Sequence, residues 1–159
     1  MIRYLSSLIK GSTINDDYHS IQFKAKHVSF LSGTLDYQQT LKLVWCLSRQ
    51  IRRHITETKT CFFTLNPANI IEINDIYVYI DDLLDIDKQD SIEITRPYLR
   101  NSEIVSPEVE SSSTFPYSVH YKTIYYSLGK LVRIVSRDFD ADLLAQSLHI
   151  DPLQRKILF

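Results

Sequence analysis

Apolar and polar positions alternate most regularly between residues 70 and 80. Ile70, Ile71 and Ile73 form one short apolar run, and Ile76, Val78 and Ile80 form a second with strict alternation. Asn74-Asp75 separates them, a two-residue connection suited to a type I′ turn. The pattern predicts a β-hairpin over about residues 69–80. A loop, Phe62 to Asn69, leads into it, and an acidic tip follows.

The period changes upstream. Tyr37, Leu41, Val44, Leu47, Ile51 and Ile55 recur at spacings of three and four, which predicts an amphipathic helix over 36–57. Asp36 is its N-cap and Gln39 its capping-box partner. Arg49, Arg52, Arg53 and Lys59 load its end with positive charge; the cluster could contact phosphate, but a solvated helix end matched to the dipole is the plainer reading. Residues 121–135 predict a second helix, apolar over most of its circumference and therefore buried. Gly129 within it points to close packing against a neighbour. Asp140 or Asp142 caps a last helix running through Leu143, Leu144, Leu148 and Ile150. Before residue 36 the signal is weak: one helical turn from Tyr4, Leu5, Leu8 and Ile9, then one or two strands within 18–31. Ile92 and Ile94 suggest a short strand. Residues 101–118, rich in Ser, Pro and Glu, read as a surface segment.

Composition narrows the classes. The chain of 159 residues is long enough for one domain with a real core, and 44% hydrophobic content is too apolar for disorder. A net charge of −1 gives no basic field for nucleic acid, and Arg52-Arg53-His54 is too short to supply one. Cys46 and Cys61 have no metal or redox spacing, which fits a reduced, intracellular chain. No apolar run approaches the roughly 20 residues that span a bilayer. Asp81, Asp82, Asp85, Asp87 and Asp90 stand against Lys88 alone. That run suits a hard cation, but it lacks the glycine of a calcium loop, so a solvated acidic loop is the plainer reading. The histidines have no ligand spacing, and no G-x-S-x-G elbow is present.

Several motifs, taken in order, resemble the C-terminal lobe of a protein kinase over about residues 36–159. The 36–57 helix stands where the long helix before the catalytic loop belongs. Residues 62–69, ending Asn66-Pro67-Ala68-Asn69, align with the family's His-Arg-Asp-Leu-Lys-Pro-Glu-Asn. Ser106-Pro107-Glu108 is similar to Ala-Pro-Glu, Tyr125-Tyr126-Ser127-Leu128-Gly129 to the central buried helix, and Asp151-Pro152 with Arg155 to the late Asp-Pro-x-x-Arg. The resemblance implies an α+β, mainly α, fold: a truncated kinase-like lobe with the hairpin packed on helices, preceded by an extension or remnant, 1–35, loosely structured or in short strands. It also implies a buried Glu108–Arg155 ion pair.

The departures from the family pattern set the functional expectation. Thr64 occupies the position of the catalytic aspartate, and threonine accepts no proton near neutral pH. Phe62 and Phe63 replace His and Arg. Ile124 replaces the aspartate that anchors the loop from the central helix. An apolar loop packed on an apolar helix is the implied replacement. Asn69 matches one metal ligand, and Asp82, thirteen residues later, matches the other, but the triplet Asp82-Leu83-Leu84 lacks its glycine. With no Gly-rich loop and no Val-Ala-Ile-Lys strand, magnesium and ATP have little to hold them, so no cofactor is expected. The expectation is a pseudokinase, not an enzyme, that binds a protein partner or serves as scaffold, in the cytoplasm or virion-associated. Its compaction suggests a large DNA virus. Two alternatives stand beside it: a structural component of a larger assembly, and a residual phosphotransferase completed by a partner lobe.

Overall fold

The computed structural model describes residues 6, 7, 9, 11–15, 20–95, 97, 104–112, 114–136 and 138–159. They form a mixed α+β fold in which small antiparallel sheets pack on helices.

The hairpin forms where the alternation placed it. Strands β5 (Ile70–Ile73) and β6 (Ile76–Tyr79) pair antiparallel, with Ile73 opposite Ile76 and Ile70 opposite Tyr79. Asn74 and Asp75 both take left-handed φ, 49° and 66°, as a type I′ turn demands. The Asn74 side chain accepts from the backbone N–H of Lys26 and His27, which seats the upstream chain against the turn. Strand β3 (Val28–Phe30) then adds to β5 and completes a three-stranded sheet. Farther upstream, β1 (Thr13–Ile14) pairs with β2 (Ile21–Gln22). The helical turn expected around Tyr4, Leu5 and Leu8 lies outside the described residues, and Ile9 is buried.

Helix α1 (Tyr37–Arg53) begins at Asp36 with both halves of the capping box made. It then loosens into a π-helical turn, His54–Thr58, which Lys59 closes in a left-handed conformation. Its buried face differs from the predicted stripe. Leu43 and Thr40 are inside, while Tyr37 is exposed and Leu41 only partly covered. The stripe drifts because α1 packs on two partners, β6 and the later helix α3, so its contact arc is wider than one ridge. Gln50, fully buried, meets β6 by donating to the Tyr79 carbonyl and accepting from the Tyr79 N–H, so it ends that sheet edge as a strand would.

Beyond the hairpin, β7 (Leu84–Asp85) lies inside the acidic run and pairs with β4 (Thr60–Cys61). Strand β8 (Ser91–Ile94) pairs with β9 (Tyr117–His120). The segment read as surface is partly core: Ile104, Val105, Ser106 and Val109 are buried, Val109 on the short helix α2 (Pro107–Glu110). Six serines and two prolines in residues 101–118 masked those apolar positions in a composition reading; residues 101–103 and 113 lie outside the described set.

Helix α3 (Thr123–Val135) is the buried axis. Its Gly129 admits helix α4 (Ala141–Ser147), since a Cβ there would collide with Ser147 Oγ. Asp140, not Asp142, caps α4 by accepting from the N–H groups of Asp142 and Leu143. The helix stops at Ser147, so Ile150 falls beyond it and is exposed. Both cysteines are free and buried. Among the described residues no helix is long and apolar enough to cross a membrane.

Candidate functional site

The loop 62–69 rests on α3. Phe62 is 1% exposed and Ile124 is 0% exposed, and both belong to one apolar cluster with Leu65 and Leu128; Phe63 packs on its margin, partly covered. Phe62 meets His54 and Tyr79 edge to face, with ring centroids 5.3 and 4.8 Å away. Such tilted contacts suit the ring quadrupoles. Burial is the main reason the His54 imidazole is held below its usual range, with Arg53 adding to it.

The polar contact between loop and helix comes from hydroxyls. Ser127 Oγ accepts from the Leu65 N–H at 2.8 Å and lies 3.0 Å from Thr64 Oγ1. Thr64 is therefore turned onto α3. On the next turn back, Thr123 shares a 2.6 Å hydroxyl bond with Ser106. Thr123 and Ser127 are four residues apart and so project from one face of the helix. That pair of hydroxyls in an apolar helix was a legible signal for buried polar contacts, and the sequence reading passed over it.

The hairpin delivers a carboxyl group beside the loop. Asp81 Oδ2 accepts from Asn69 Nδ2 at 3.1 Å and lies 2.6 Å from the Tyr79 hydroxyl, while Oδ1 accepts from the Asp82 N–H at 2.8 Å. Asn69 is thus brought to Asp81, one residue before the Asp82 that a spacing of thirteen selects. The tight turn explains the offset. With two residues in the bend, Ile70 faces Tyr79 and the Ile80 N–H donates to the Asn69 carbonyl, so the residue after Ile80 meets the asparagine side chain. The Tyr79 hydroxyl also accepts from the Asn66 N–H and lies 2.9 Å from the Thr64 carbonyl, so its single proton has two acceptors within reach. Burial, then the Asp81 carboxyl, push this phenol well above its usual range.

Asp81 and Asp82 border a cleft of about 240 Å³ with Thr64, Phe63, Leu84 and Glu93. Its polar lining is acidic or hydroxylic. No group of three or more His, Cys, Asp or Glu side chains among the described residues is placed to hold a metal ion.

The third constellation is remote from this cleft in sequence and built differently. Arg155, whose side chain is fully buried, donates Nη1 and Nη2 to the two Glu108 oxygens at 2.5 and 2.8 Å. Nε donates to the His149 carbonyl and Nη2 also to the Ile150 carbonyl. Its guanidinium lies 4.9 Å from the centre of the Tyr126 ring. Burial alone would raise the Glu108 carboxyl; the bonds from Arg155 outweigh it and hold the group below its ordinary value. Arg155 follows a 3-10 turn, Pro152–Gln154, capped by Asp151, which fixes the approach of its side chain.

No protein-family model matches the chain, and no curated protein matches it in sequence.

Proposed function

We propose that the chain is a catalytically inactive, kinase-like module: a reduced C-terminal lobe that acts by binding another protein. The observation that carries this reading is the seat of Thr64. Phosphoryl transfer of the kinase type needs a proton acceptor aimed at the substrate hydroxyl. Thr64 offers a neutral hydroxyl instead, turned onto Ser127 at 3.0 Å. The floor beneath the loop is Ile124, with no carboxylate to orient a polar loop, and the loop answers with Phe62 in the core.

Three further features support the reading. The hairpin stands on a long helix, the buried axial helix follows it, and the Glu108–Arg155 fork ties the segment after β8 to the chain end. In this reading the vestigial metal pair is Asn69 with Asp81, and Asp82 borders the cleft without holding Asn69. A retained asparagine–aspartate contact is useful as structure, since it anchors the end of β6 to the start of β5.

Calorimetric titration of the full chain with ATP and magnesium tests the proposal. No binding heat, and no transfer of labelled phosphate to a generic protein substrate, is the expected outcome. Micromolar nucleotide affinity would overturn it. So would phosphate incorporation that is abolished in Asp81→Ala or Asp82→Ala, and that result would favour a residual phosphotransferase.

A further inference from the structure

A separate cavity of about 460 Å³ opens between the outer face of α1 and the hairpin tip. Leu41, Trp45, Ile76 and Phe159 line it, and Lys42 and Asp75 are its charged members. Two of its apolar residues are left in solvent: Trp45 is 55% exposed and Phe159 is 51% exposed. Trp45 is the chain's single tryptophan, and it contributes nothing to the buried face of α1. Large aromatic side chains beside an open apolar groove are the usual anchors of binding surfaces.

Charge narrows the occupant. Helix α1 carries Lys42, Arg49, Arg52 and Arg53 and no carboxylate. Arg53 is paired with Glu57 at 2.7 Å, and Arg52 donates to the Phe159 carbonyl. Lys42 meets Asp75 at 3.9 Å with both side chains more than half exposed, a contact of little worth. Arg49 lies 5.3 Å from the centre of the Trp45 ring. Lys42 and Arg49 against Asp75 leave one net positive charge beside the groove. The chain's own acidic stretch does not suit it, because Leu83, Leu84 and Ile86, its apolar residues, already pack on the core.

We propose that this groove docks a short segment of a partner protein that carries a bulky apolar residue next to Asp or Glu. The apolar side chain enters between Leu41 and Ile76 and stacks on Trp45, and the carboxylates meet Lys42 and Arg49. The proposal stands on the groove alone and does not require the kinase likeness.

Random linear peptides displayed on phage, panned against the full chain, test it. The expected pool is enriched in peptides with an aromatic or long aliphatic residue flanked by Asp or Glu. Synthetic copies should shift Trp45 fluorescence on titration, and their binding should weaken as salt rises. By calorimetry, Trp45→Ala should weaken them about tenfold or more. Arg49→Glu should weaken them several-fold. Both sites are exposed, so circular dichroism should show the fold unchanged. Failure to enrich any peptide overturns the proposal, as does a pool without acidic residues or binders indifferent to both substitutions. A chain that is dimeric by light scattering, with the dimer lost in Trp45→Ala, would assign the groove to a second copy and equally overturn it.

Discussion

Helix α3 meets buried polarity in two ways. Through Tyr126 it backs the Glu108–Arg155 fork, where a full charge is buried with named partners on Nε, Nη1 and Nη2. Under the loop 62–69 it offers Ile124 and one serine hydroxyl, and the loop responds with a phenylalanine ring, the Leu65 N–H and the Thr64 hydroxyl. Burying a charge is tolerable only when its donors and acceptors are nearly all matched. The fork meets that condition and the loop site avoids the problem by carrying no charge. The same helix thus supports an ionic lock and a greasy seat within one turn.

The sharpest way to break the contrast is to put a charge into the greasy seat. Ile124→Asp places a carboxyl at a site with no exposed area, on a helix where the Leu65 N–H of the loop is already committed to Ser127. The expected cost exceeds about 5 kcal/mol, comparable to the whole stability of a small domain. Loss of the cooperative urea transition, or failure to recover folded protein, is the outcome to look for. A variant within about 1 kcal/mol of wild type would mean that the loop can re-form around a carboxylate.

Breaking the fork should cost less, and unequally from its two sides. Glu108→Ala strands a guanidinium that cannot shed its proton, inside a fully buried side chain. Arg155→Met strands a carboxylate that keeps 21% exposure and can be protonated. Denaturant unfolding should give about 4–5 kcal/mol for the first and about 3 for the second. The pH dependence follows from the lowered Glu108 value. The unfolded chain binds the proton more readily, so the contribution of the pair is present above the unfolded value, about 4.3, and is lost as pH falls through the folded one. Wild type should lose stability steeply below about pH 4.5, and Glu108→Gln should lose less over the same range. Equal slopes would remove the fork from the stability account.

How far this contrast was legible in the sequence depends on the kind of signal. The hairpin and the α1 cap rest on local chemistry, Asn74-Asp75 and Asp36 with Gln39, and local chemistry is written in adjacent residues. The partners of Thr64, Asn69 and Arg155 depend on three-dimensional register. The family resemblance reached Glu108 and Arg155 because the motifs that carry it are local to each end. It selected Asp82 where a two-residue turn delivers Asp81 to Asn69. The exposed side of α1 was missed for a related reason. Periodicity finds one stripe, whereas α1 is pressed from two directions and leaves Tyr37 exposed and Leu41 only partly covered. Ile104 to Val109 were missed because serines and prolines dominate the composition of a segment whose few apolar residues all turn inward.

The smallest expected effect tests whether the hydroxyls are the true replacement for charge under the loop. Ser127→Ala removes the acceptor of a buried backbone N–H, and such an unsatisfied donor costs about 1–3 kcal/mol. Thr64→Val removes a hydroxyl from a half-buried residue and leaves the Leu65–Ser127 bond in place, so its cost should stay below about 1 kcal/mol. Urea midpoints at equal slope should rank the two in that order, with the double variant no worse than Ser127→Ala by more than about 0.5 kcal/mol, because the two hydroxyls share one contact. The opposite ranking would show that the Thr64 hydroxyl is held by something other than Ser127. The loop would then owe its shape to that other contact, and the division of α3 into an ionic lock and a greasy seat would fail at its weaker half.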